Sequence, residues 1–337
     1  MGAERDLNVG RVTPFISVVI PVYRSERILD ALCAALKENL TKLLRPYEIV
    51  LVDDRSPDRS WDVISRLARA DEHIMAVRLS RNFGQHYAIT AGLDLARGEW
   101  VVVMDCDLQD RPEEIANLLA KAEQGHDIVL ARRMFRAESA VKRLFSSLFY
   151  STFNLLSGYH IDPSVGSFRI LRRPVVEAYR SMREGSRLFG GMIEWLGFES
   201  AYVDVEHAPR FEGKSTYNLR ALMRLALDGI IAFSNRPLYF SIGIGITMSL
   251  LAGALGTGLV INFLIHPRIG VPGWLSLVTL STFIGGLILL NLGILGIYVG
   301  RIYDQTKGRP LYVIDRILTW GETGDMRELE MMKNQAE

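Results

Sequence analysis

The sequence has few cysteines and almost no net charge, and each shortage excludes a class of protein. Its two cysteines, Cys33 and Cys106, are far apart and form no CxxC pair, which excludes a disulfide framework and a zinc site built on cysteine ligands. Lysine plus arginine (39) nearly balance aspartate plus glutamate (38), and the formal net charge is +1. We therefore expect no nucleic acid partner, because the chain has no overall basic charge that would attract one.

A signal peptide and internal repeats are also missing. Glu4, Arg5 and Asp6 precede a short apolar run, whereas a signal peptide has a basic start and an apolar core. We expect the N-terminal part to stay in the cytoplasm. The length of 337 residues is enough for about two domains.

Hydrophobicity is what the sequence has in excess, with a mean hydropathy of +0.14. Two stretches, Leu238–Ile265 and Gly273–Gly300, contain no Asp, Glu, Lys or Arg. Each is longer than the roughly 20 residues that a helix needs to cross a bilayer. They predict a two-helix transmembrane hairpin, and the alternative is a pair of buried helices in a soluble bundle.

The charges that flank these stretches predict how the hairpin is oriented. Only Arg268 lies between them, whereas basic residues cluster before the first and after the second, at Arg220, Arg224, Arg236, Arg301, Lys307 and Arg309. Positive residues favour the cytoplasmic side. We therefore expect a multi-pass protein of the cytoplasmic membrane, with its large N-terminal part and both termini in the cytoplasm.

The first 210 residues alternate between strand and helix patterns. Apolar, β-branched runs predict five strands, at Phe15–Val22, Tyr47–Val52, Ile74–Leu79, Trp100–Met104 and Asp127–Ala131. Helical patterns fill the gaps between them, at Glu26–Leu44, Ser60–Ala70, Gln85–Ala96 and Pro112–Glu123. Repeated βα units predict an α/β fold with a mainly parallel, Rossmann-like sheet, in which ligands bind at the carboxyl ends of the strands.

Acidic residues follow two of these predicted strands. Asp53 and Asp54 come after the second strand, and Asp105 and Asp107 come after the fourth, with Gln109 close behind. Carboxylates spaced in this way can share one hard divalent cation such as Mg²⁺ or Mn²⁺, and the cation would screen a diphosphate. An alternative for the second group is that Asp107 to Asp110 only cap the helix that begins at Pro112. Two acidic strand ends in one sheet favour a nucleotide-sugar site.

The order and spacing of several motifs resemble a known family. The motifs are Ile20-Pro21-Val22-Tyr23, Val52-Asp53-Asp54, Arg81-Asn82-Phe83-Gly84-Gln85-His86, Asp105-Cys106-Asp107-Leu108-Gln109 and Pro112-Glu113-Glu114-Ile115. As a set they resemble family 2 glycosyltransferases with the GT-A fold.

Later motifs resemble the branch of that family that acts on polyprenyl phosphates. They are Gly166-Ser167-Phe168-Arg169, Arg210-x-x-Gly213-x-Ser215-x-Tyr217, and Gly300-Arg301-Ile302-Tyr303 through Arg309-Pro310. The branch includes undecaprenyl-phosphate 4-deoxy-4-formamido-arabinose transferases, bactoprenol glucosyltransferases and, more distantly, dolichol-phosphate mannose synthases.

The resemblance implies an inverting, metal-dependent transfer of a sugar from a UDP-sugar to undecaprenyl (polyprenyl) phosphate. It implies nucleotide-sugar contacts from Pro21, Val22, Tyr23, Glu26, Asp53, Asp54, Asn82, Gln85 and Asp105. It also implies that Asp105, Asp107 and Gln109 hold the Mg²⁺ or Mn²⁺ ion. The implied catalytic residues are Asp105, Asp107, Asp162 and Arg169. For Asp162, a role as base or sugar-orienting group competes with a purely structural role in a loop or cap.

Basic residues near the predicted fifth strand are candidates for binding the lipid phosphate. Arg133 ends that strand, and Lys142 and Ser146 lie four apart on one helical face, as a phosphate contact requires. A solvated helix face is the alternative for Lys142. With the neighbouring arginine and the later motif, the candidate set is Arg133, Lys142, Arg143, Ser146, Arg210 and Ser215.

Amphipathic segments complete the predicted organisation. Residues 137–156 have the pattern of a helix in a membrane interface, with a core-facing helix as the alternative, and 213–236 repeats the pattern. We expect a GT-A catalytic domain over 1–212, an interfacial helix over 213–236, the hairpin over 237–300 and a cytoplasmic tail over 301–337. The GxxxG spacing of Gly296 and Gly300, with the family likeness, favours a homo-oligomer such as a tetramer.

Two other functions fit parts of this pattern. A processive polysaccharide synthase also combines a GT-A domain with membrane helices, but the sequence has neither the QxxRW motif nor the additional spans of that class. A non-catalytic, membrane-tethered protein that binds a sugar nucleotide would keep the pocket but form no lipid-linked product.

Overall fold

A computed structural model describes residues 13–133, 164–185, 187–206, 236–265, 273–320 and 326–330. The chain divides into two compact units. One is built around a β-sheet, and the other contains two long helices.

The sheet of the first unit has nine strands in the described residues. They are β1 (Ile16–Val22), β2 (Tyr47–Asp53), β3 (Ile74–Leu79), β4 (Trp100–Val103), β5 (Ile128–Arg133), β6 (Val165–Arg172), β7 (Ser200–Val205), β8 (Ile314–Trp320) and β9 (Met326–Glu330). Their order is β7-β5-β6-β4-β1-β2-β3-β8-β9. The central strands β4, β1, β2 and β3 are parallel, while β6 and β8 pair antiparallel with β4 and β3.

Six helices accompany the sheet in the described residues. They are α1 (Leu29–Lys42), α2 (Ser60–Ala70), α3 (Gln85–Leu95), α4 (Glu114–Ala122), α5 (Arg173–Ser181) and α6 (Phe189–Trp195). All five predicted strands and all four predicted helices are present, with ends that differ from the prediction by at most a few residues. The prediction of an α/β fold with a mainly parallel, Rossmann-like sheet is confirmed.

The central strands form the core and align their carboxyl ends at one edge. All seven residues of β1 are buried, as expected for a parallel strand covered on both faces. The register places Val22 opposite Asp53 of β2 and Val19 opposite Val103 of β4. The loops that follow β1, β2 and β4 therefore emerge side by side.

Helix α3 packs so closely against these strands at Gly92 that no residue with a side chain fits there. A Cβ added to Gly92 would lie 2.3 Å from Cγ1 of Val19 and 3.2 Å from Cγ2 of Val52. The glycine thus allows the close approach of helix to sheet. Gly84, with φ of +106°, turns the chain into the helix, a conformation that residues with a side chain rarely adopt. Together the two glycines place the first turn of α3 at the carboxyl edge.

Residues 301–337, which the sequence predicts as a tail, contribute two strands to the sheet. β8 pairs with β3 through Ala76↔Leu318, Val77↔Ile317 and Arg78↔Arg316, and β9 extends the sheet beyond it. No local pattern indicated this pairing, because its partner strand lies more than two hundred residues earlier. Strands β6 and β7 were not predicted either; β6 pairs with β4 and β5, and β7 pairs with β5.

The second unit contains α7 (Arg236–Ile265) and α8 (Trp274–Thr306). Two spans in them, Leu238–Gly258 and Phe283–Thr306, are long and apolar enough to cross a membrane, with hydropathies of 1.8 and 2.1. Their described side chains are almost all exposed, including Leu250, Leu255 and Leu289 at about 70%. This exposure disfavours the alternative of two buried helices in a soluble bundle. The predicted interfacial helices, at 137–156 and over 213–235, lie outside the described residues.

Glu48 of β2 joins three segments of the sheet unit through a buried carboxylate. Its Oε1 accepts hydrogen bonds from Oγ of Ser17 (2.6 Å) and from the backbone N of Arg97 (2.7 Å). Its Oε2 accepts from Nε (3.0 Å) and Nη2 (2.6 Å) of the same arginine. The contacts hold the turn that follows α3 against β1 and β2.

We expect Glu48→Ala to destabilise the protein by about 3 kcal/mol, because it leaves Arg97 and a backbone N–H group without their shared acceptor. The thermal unfolding midpoint of the detergent-solubilised full chain measures the loss. Glu38→Ala is the matched control, since Glu38 forms only an exposed pair with Lys42, and it should leave the midpoint unchanged. Equal midpoints for the two variants would contradict a structural role for Glu48.

Candidate active site

A cavity of about 350 Å³ opens at the carboxyl edge of the central strands. Its lining comes from the loops after β1, β2, β3 and β4 and from the start of α3: Pro21, Val22, Tyr23, Asp54, Asn82, Gly84, Gln85, Asp105, Cys106 and Asp107. Eight of these residues were predicted from the sequence for the nucleotide sugar or the metal. The sheet thus brings together residues from four motifs that are separate in the chain.

The loop after β4 presents the two carboxylates of Asp105 and Asp107 to the cavity. Backbone groups shape this loop: Gln109 N donates to Oδ1 of Asp107 (3.1 Å), and Asp105 N donates to Oδ2 of Asp110 (3.3 Å). Leu108 has φ of +57°, a strained value for a residue with a branched side chain. Asp110, which is 4% exposed, was not among the predicted site residues, although it helps to set the loop.

Gln85 links the first turn of α3 to the acidic loop. Its Nε2 donates a 2.7 Å hydrogen bond to Oδ1 of Asp105. The sequence predicted Gln85 as a contact of the nucleotide sugar. The structure adds that Gln85 orients one of the two carboxylates of the acidic loop.

Asp54 holds the loop that leads into α3. Its Oδ1 accepts from the backbone N of Phe83 (2.7 Å), and its Oδ2 accepts from the backbone N of Gly84 (2.8 Å). Burial raises the pKa of Asp54, while these two N–H groups and Arg81 act in the opposite direction. The carboxylate therefore fixes the cavity wall that contains Asn82 and Gly84.

Two other residues predicted for the nucleotide do not line the cavity. Asp53 is fully buried, and its Oδ1 accepts from the backbone N of Ser56 (3.0 Å) while its Oδ2 lies 3.7 Å from Nε of Arg78. Burial is the main cause that raises its pKa. Glu26 accepts a hydrogen bond from Arg59 N (2.9 Å), which joins the loops after β1 and β2. In this structure both side chains support the cavity from outside it.

Cys106 lines the cavity but was not among the residues predicted for the site. Its Sγ lies 3.0 Å from Oγ of Ser25, so it connects the acidic loop to the loop after β1. Burial raises the pKa of the thiol, which keeps it protonated and unlike a metal-binding thiolate. Only its position between Asp105 and Asp107 could have drawn attention to it.

Arg169, predicted as catalytic, lies on β6 and is 5% exposed. Its guanidinium donates to the backbone O of Gly166 (2.7 Å) and of Ser167 (3.3 Å) and stacks 4.8 Å from the ring centroid of Phe189. Burial lowers its pKa to about 10. Its described contacts thus join β6 to α6, and a contact with substrate stays a prediction.

Several predicted residues cannot be placed in the site. Arg133 ends β5, but its side chain is outside the described part of the structure. The others lie entirely outside the described residues: Asp162, Lys142, Arg143, Ser146, Arg210 and Ser215.

The donor atoms at the cavity suit a hard divalent cation. Asp105 and Asp107 supply carboxylate oxygens, and Gln109 of the same loop has an amide oxygen, although it stands outside the cavity lining. Within the described ranges, no cluster of three or more His, Cys, Asp or Glu side chains is placed to hold a metal. Mg²⁺ and Mn²⁺ are commonly held by one or two carboxylates together with phosphate oxygens and water, so the residues present fit such an ion.

Comparison with known proteins agrees with this geometry. The family model for glycosyl transferase family 2 matches residues 17–180. An uncharacterized glycosyltransferase from Synechocystis sp. is 38% identical over 91% of this chain and 96% of its own length. A prophage bactoprenol glucosyl transferase homolog of Escherichia coli is 35% identical over 90% and 99%. The bactoprenol glucosyl transferase of Shigella phage SfV is 36% identical over 89% and 97%.

The chain belongs to glycosyl transferase family 2. Residues 17–180 contain the strands β1 to β4 and every residue that lines the cavity. The cavity is therefore the candidate active site of a family 2 glycosyltransferase. The relatives match along nearly the whole chain, which confirms the resemblance seen in the sequence.

Asp54→Ala should loosen the cavity wall of this glycosyltransferase without unfolding it. Loss of an acceptor for two N–H groups costs about 1 to 3 kcal/mol locally, so we expect amide hydrogen exchange at Phe83 and Gly84 to become at least about tenfold faster. Asp30→Ala, which removes only an exposed pair with Arg66, is the control. Unchanged protection at both amides in Asp54→Ala would show that the carboxylate does not hold the loop.

Proposed function

We propose that this glycosyltransferase transfers a sugar from a UDP-sugar to undecaprenyl phosphate or a related polyprenyl phosphate, with inversion at the anomeric carbon. The observation that carries the proposal is the placement of Asp105 and Asp107 in one cavity with Asp54, Asn82 and Gln85. The names of relatives that match about nine-tenths of the chain, bactoprenol glucosyl transferases, support the lipid acceptor.

In this proposal Asp105, Asp107 and Gln109 hold a Mg²⁺ or Mn²⁺ ion. When bound, the ion supplies Lewis-acid chemistry that neutralises the leaving diphosphate. Gln85 orients Asp105 through the 2.7 Å hydrogen bond, so the carboxylate is in place before the donor binds. Pro21, Val22 and Tyr23 also line the cavity, and in this proposal they contact the nucleotide sugar together with Asn82.

In this proposal the enzyme needs positive side chains that bind the acceptor phosphate more than it needs a general base that deprotonates it. The second pKa of a phosphate monoester is about 6, so a lipid phosphate is mostly ionised at neutral pH and attacks without losing a proton. Positive side chains then have to hold two phosphate groups near one anomeric carbon. We assign the binding of the lipid phosphate to the positive side chains of Arg133, Lys142, Arg143 and Arg210 and to the hydroxyls of Ser146 and Ser215. Asp162 and Arg169 are the further catalytic candidates.

The two apolar helices suit an enzyme whose acceptor is a lipid. Exposed apolar side chains on α7 and α8 are unfavourable in water and favourable in a bilayer. We propose that both helices span the cytoplasmic membrane and that the sheet unit and both termini are cytoplasmic. A homo-oligomer, such as a tetramer, remains part of the proposal.

Asp107→Asn should abolish the transfer, because it removes a carboxylate that holds the ion. The assay incubates the full chain in detergent with labelled UDP-sugars, undecaprenyl phosphate and Mn²⁺, and separates the lipid product by thin-layer chromatography. We expect at least a hundredfold loss of product. Asp62→Asn, an exposed change on α2, is the control and should retain full activity.

The same assay separates the proposal from its alternatives. Product that forms without a divalent ion, or that survives Asp107→Asn, would overturn the metal role. Nucleotide binding without any product would indicate a membrane-tethered binding protein, and a growing polysaccharide would indicate a processive synthase.

Reporter fusions test the proposed orientation. Green fluorescent protein fused after Glu337 should fluoresce, because it folds in the cytoplasm, and alkaline phosphatase fused after Arg268 should be active, because it requires export. The physical reason is the excess of basic residues outside the two apolar stretches. An inactive phosphatase together with a dark fluorescent protein would contradict the orientation.

A further inference from the structure

The segment from Tyr312 to Arg316 contacts several segments that build the candidate active site. It follows α8 in the chain, belongs to the sheet unit and enters β8 at Ile314. Backbone N of Ser80, at the end of β3, donates to the carbonyl of Val313 (2.8 Å). The segment is therefore tied to the start of the loop that contains Asn82 and Gly84.

Tyr312 contacts the last turn of helix α3. Its hydroxyl donates a 2.6 Å hydrogen bond to Oδ2 of Asp94. Arg183 completes the group, with Nη1 at 2.7 Å from Oδ2 and Nη2 at 3.3 Å from Oδ1 of the same carboxylate. Burial and the charge of Asp94 raise the pKa of Tyr312, so the hydroxyl keeps its proton and acts as a donor at neutral pH.

Asp315 contacts the loop after β2. Its Oδ2 accepts a 2.8 Å hydrogen bond from Nη1 of Arg55. Arg55 follows the cavity residue Asp54 directly and has φ of +54°, which a non-glycine residue adopts only when its surroundings hold it. The ion pair is one of the contacts that hold it.

These contacts meet the cavity at Asp105. Helix α3 has 11 residues and is packed tightly on β1 and β2 at Gly92, so a short, regular helix connects its two ends. Asp94 at one end accepts hydrogen bonds from Tyr312 and Arg183, and Gln85 at the other end donates to Asp105. A change in the position of the last turn of α3, at Asp94, would therefore be passed to Gln85, whose side chain orients Asp105.

We propose that Tyr312 is a positioning residue for the active site, which acts through Asp94 and helix α3 on the Gln85–Asp105 hydrogen bond, with Asp315 supporting the adjoining loop through Arg55. This inference rests on the proposed function in one respect, because it assumes that the cavity binds a nucleoside diphosphate with a divalent ion. It assigns a role in that binding to a segment beyond the family match over residues 17–180.

The test measures binding of UDP in the presence of Mn²⁺ to the detergent-solubilised full chain by calorimetry. Tyr312→Phe removes only the hydroxyl, and we expect the dissociation constant of UDP to rise about tenfold, since small misplacements of site groups have large effects. Asp315→Asn should raise it as well. Trp320→Phe is the matched control: it removes one 2.6 Å hydrogen bond, from the end of β8 to the carbonyl of Ala68 on α2, and should leave UDP binding unchanged.

A double-mutant cycle distinguishes positioning from general destabilisation. In a Gln85→Ala background the path to Asp105 is already broken, so adding Tyr312→Phe should change UDP binding by less than about twofold. The thermal unfolding midpoint of every variant is measured in parallel. If Trp320→Phe and Tyr312→Phe both lose UDP affinity in proportion to the fall in their midpoints, the inference is overturned. So would fully additive effects in the cycle.

The outcomes also separate this inference from the proposed function. A wild-type chain that binds UDP with Mn²⁺ but glycosylates no lipid phosphate overturns the proposed acceptor. The double-mutant cycle then still decides the role of Tyr312, because it measures only UDP binding. Wild-type binding that Tyr312→Phe leaves unchanged overturns only the positioning role. A wild-type chain that binds no UDP overturns both.

Discussion

The parallel pairing of β1 with β2 and β4 is the constraint on which the candidate site depends. It sets Val22 beside Asp53 and Val19 beside Val103, so that the residues after each strand meet at one edge. The close contact of α3 at Gly92 then brings Gln85 to the same edge. Without this register, the motifs that carry Tyr23, Asp54 and Asp105 would not share a cavity.

Three carboxylates, those of Asp54, Asp105 and Asp107, lie at the carboxyl edge of the central strands. Asp54 is buried and its pKa is raised by burial, yet both of its oxygens accept backbone hydrogen bonds. Asp105 and Asp107 line the same cavity, where a divalent cation and a diphosphate would balance each other. Asp54 thus both lines the cavity and holds a loop, whereas Asp105 and Asp107 are the carboxylates that suit a cation.

Local patterns were enough to predict the elements that carry the site. The bounds of α2 and β3 were predicted to the residue, at Ser60–Ala70 and Ile74–Leu79, because alternation and helical periodicity are properties of short segments. The prediction that Asp54, Gln85 and Asp105 belong to one site came from their positions after predicted strands and from the family resemblance, and the structure places all three at one cavity. The supporting positions of Asp53 and Glu26 were not predicted, since burial of a side chain depends on what packs over it.

The sequence by itself determined the α/β class, the two apolar helices and the family. The reason is that hydrophobic periodicity, the length of a stretch without charged residues and the spacing of motifs are all properties of the sequence alone. Only the tertiary structure decided which carboxylates face the cavity, that β8 pairs with β3, and that Tyr312 contacts Asp94 across more than two hundred residues. The physical reason is that the partner of a strand or side chain distant in sequence depends on how all segments together satisfy burial and hydrogen bonding. The sequence of one segment therefore does not specify its partner.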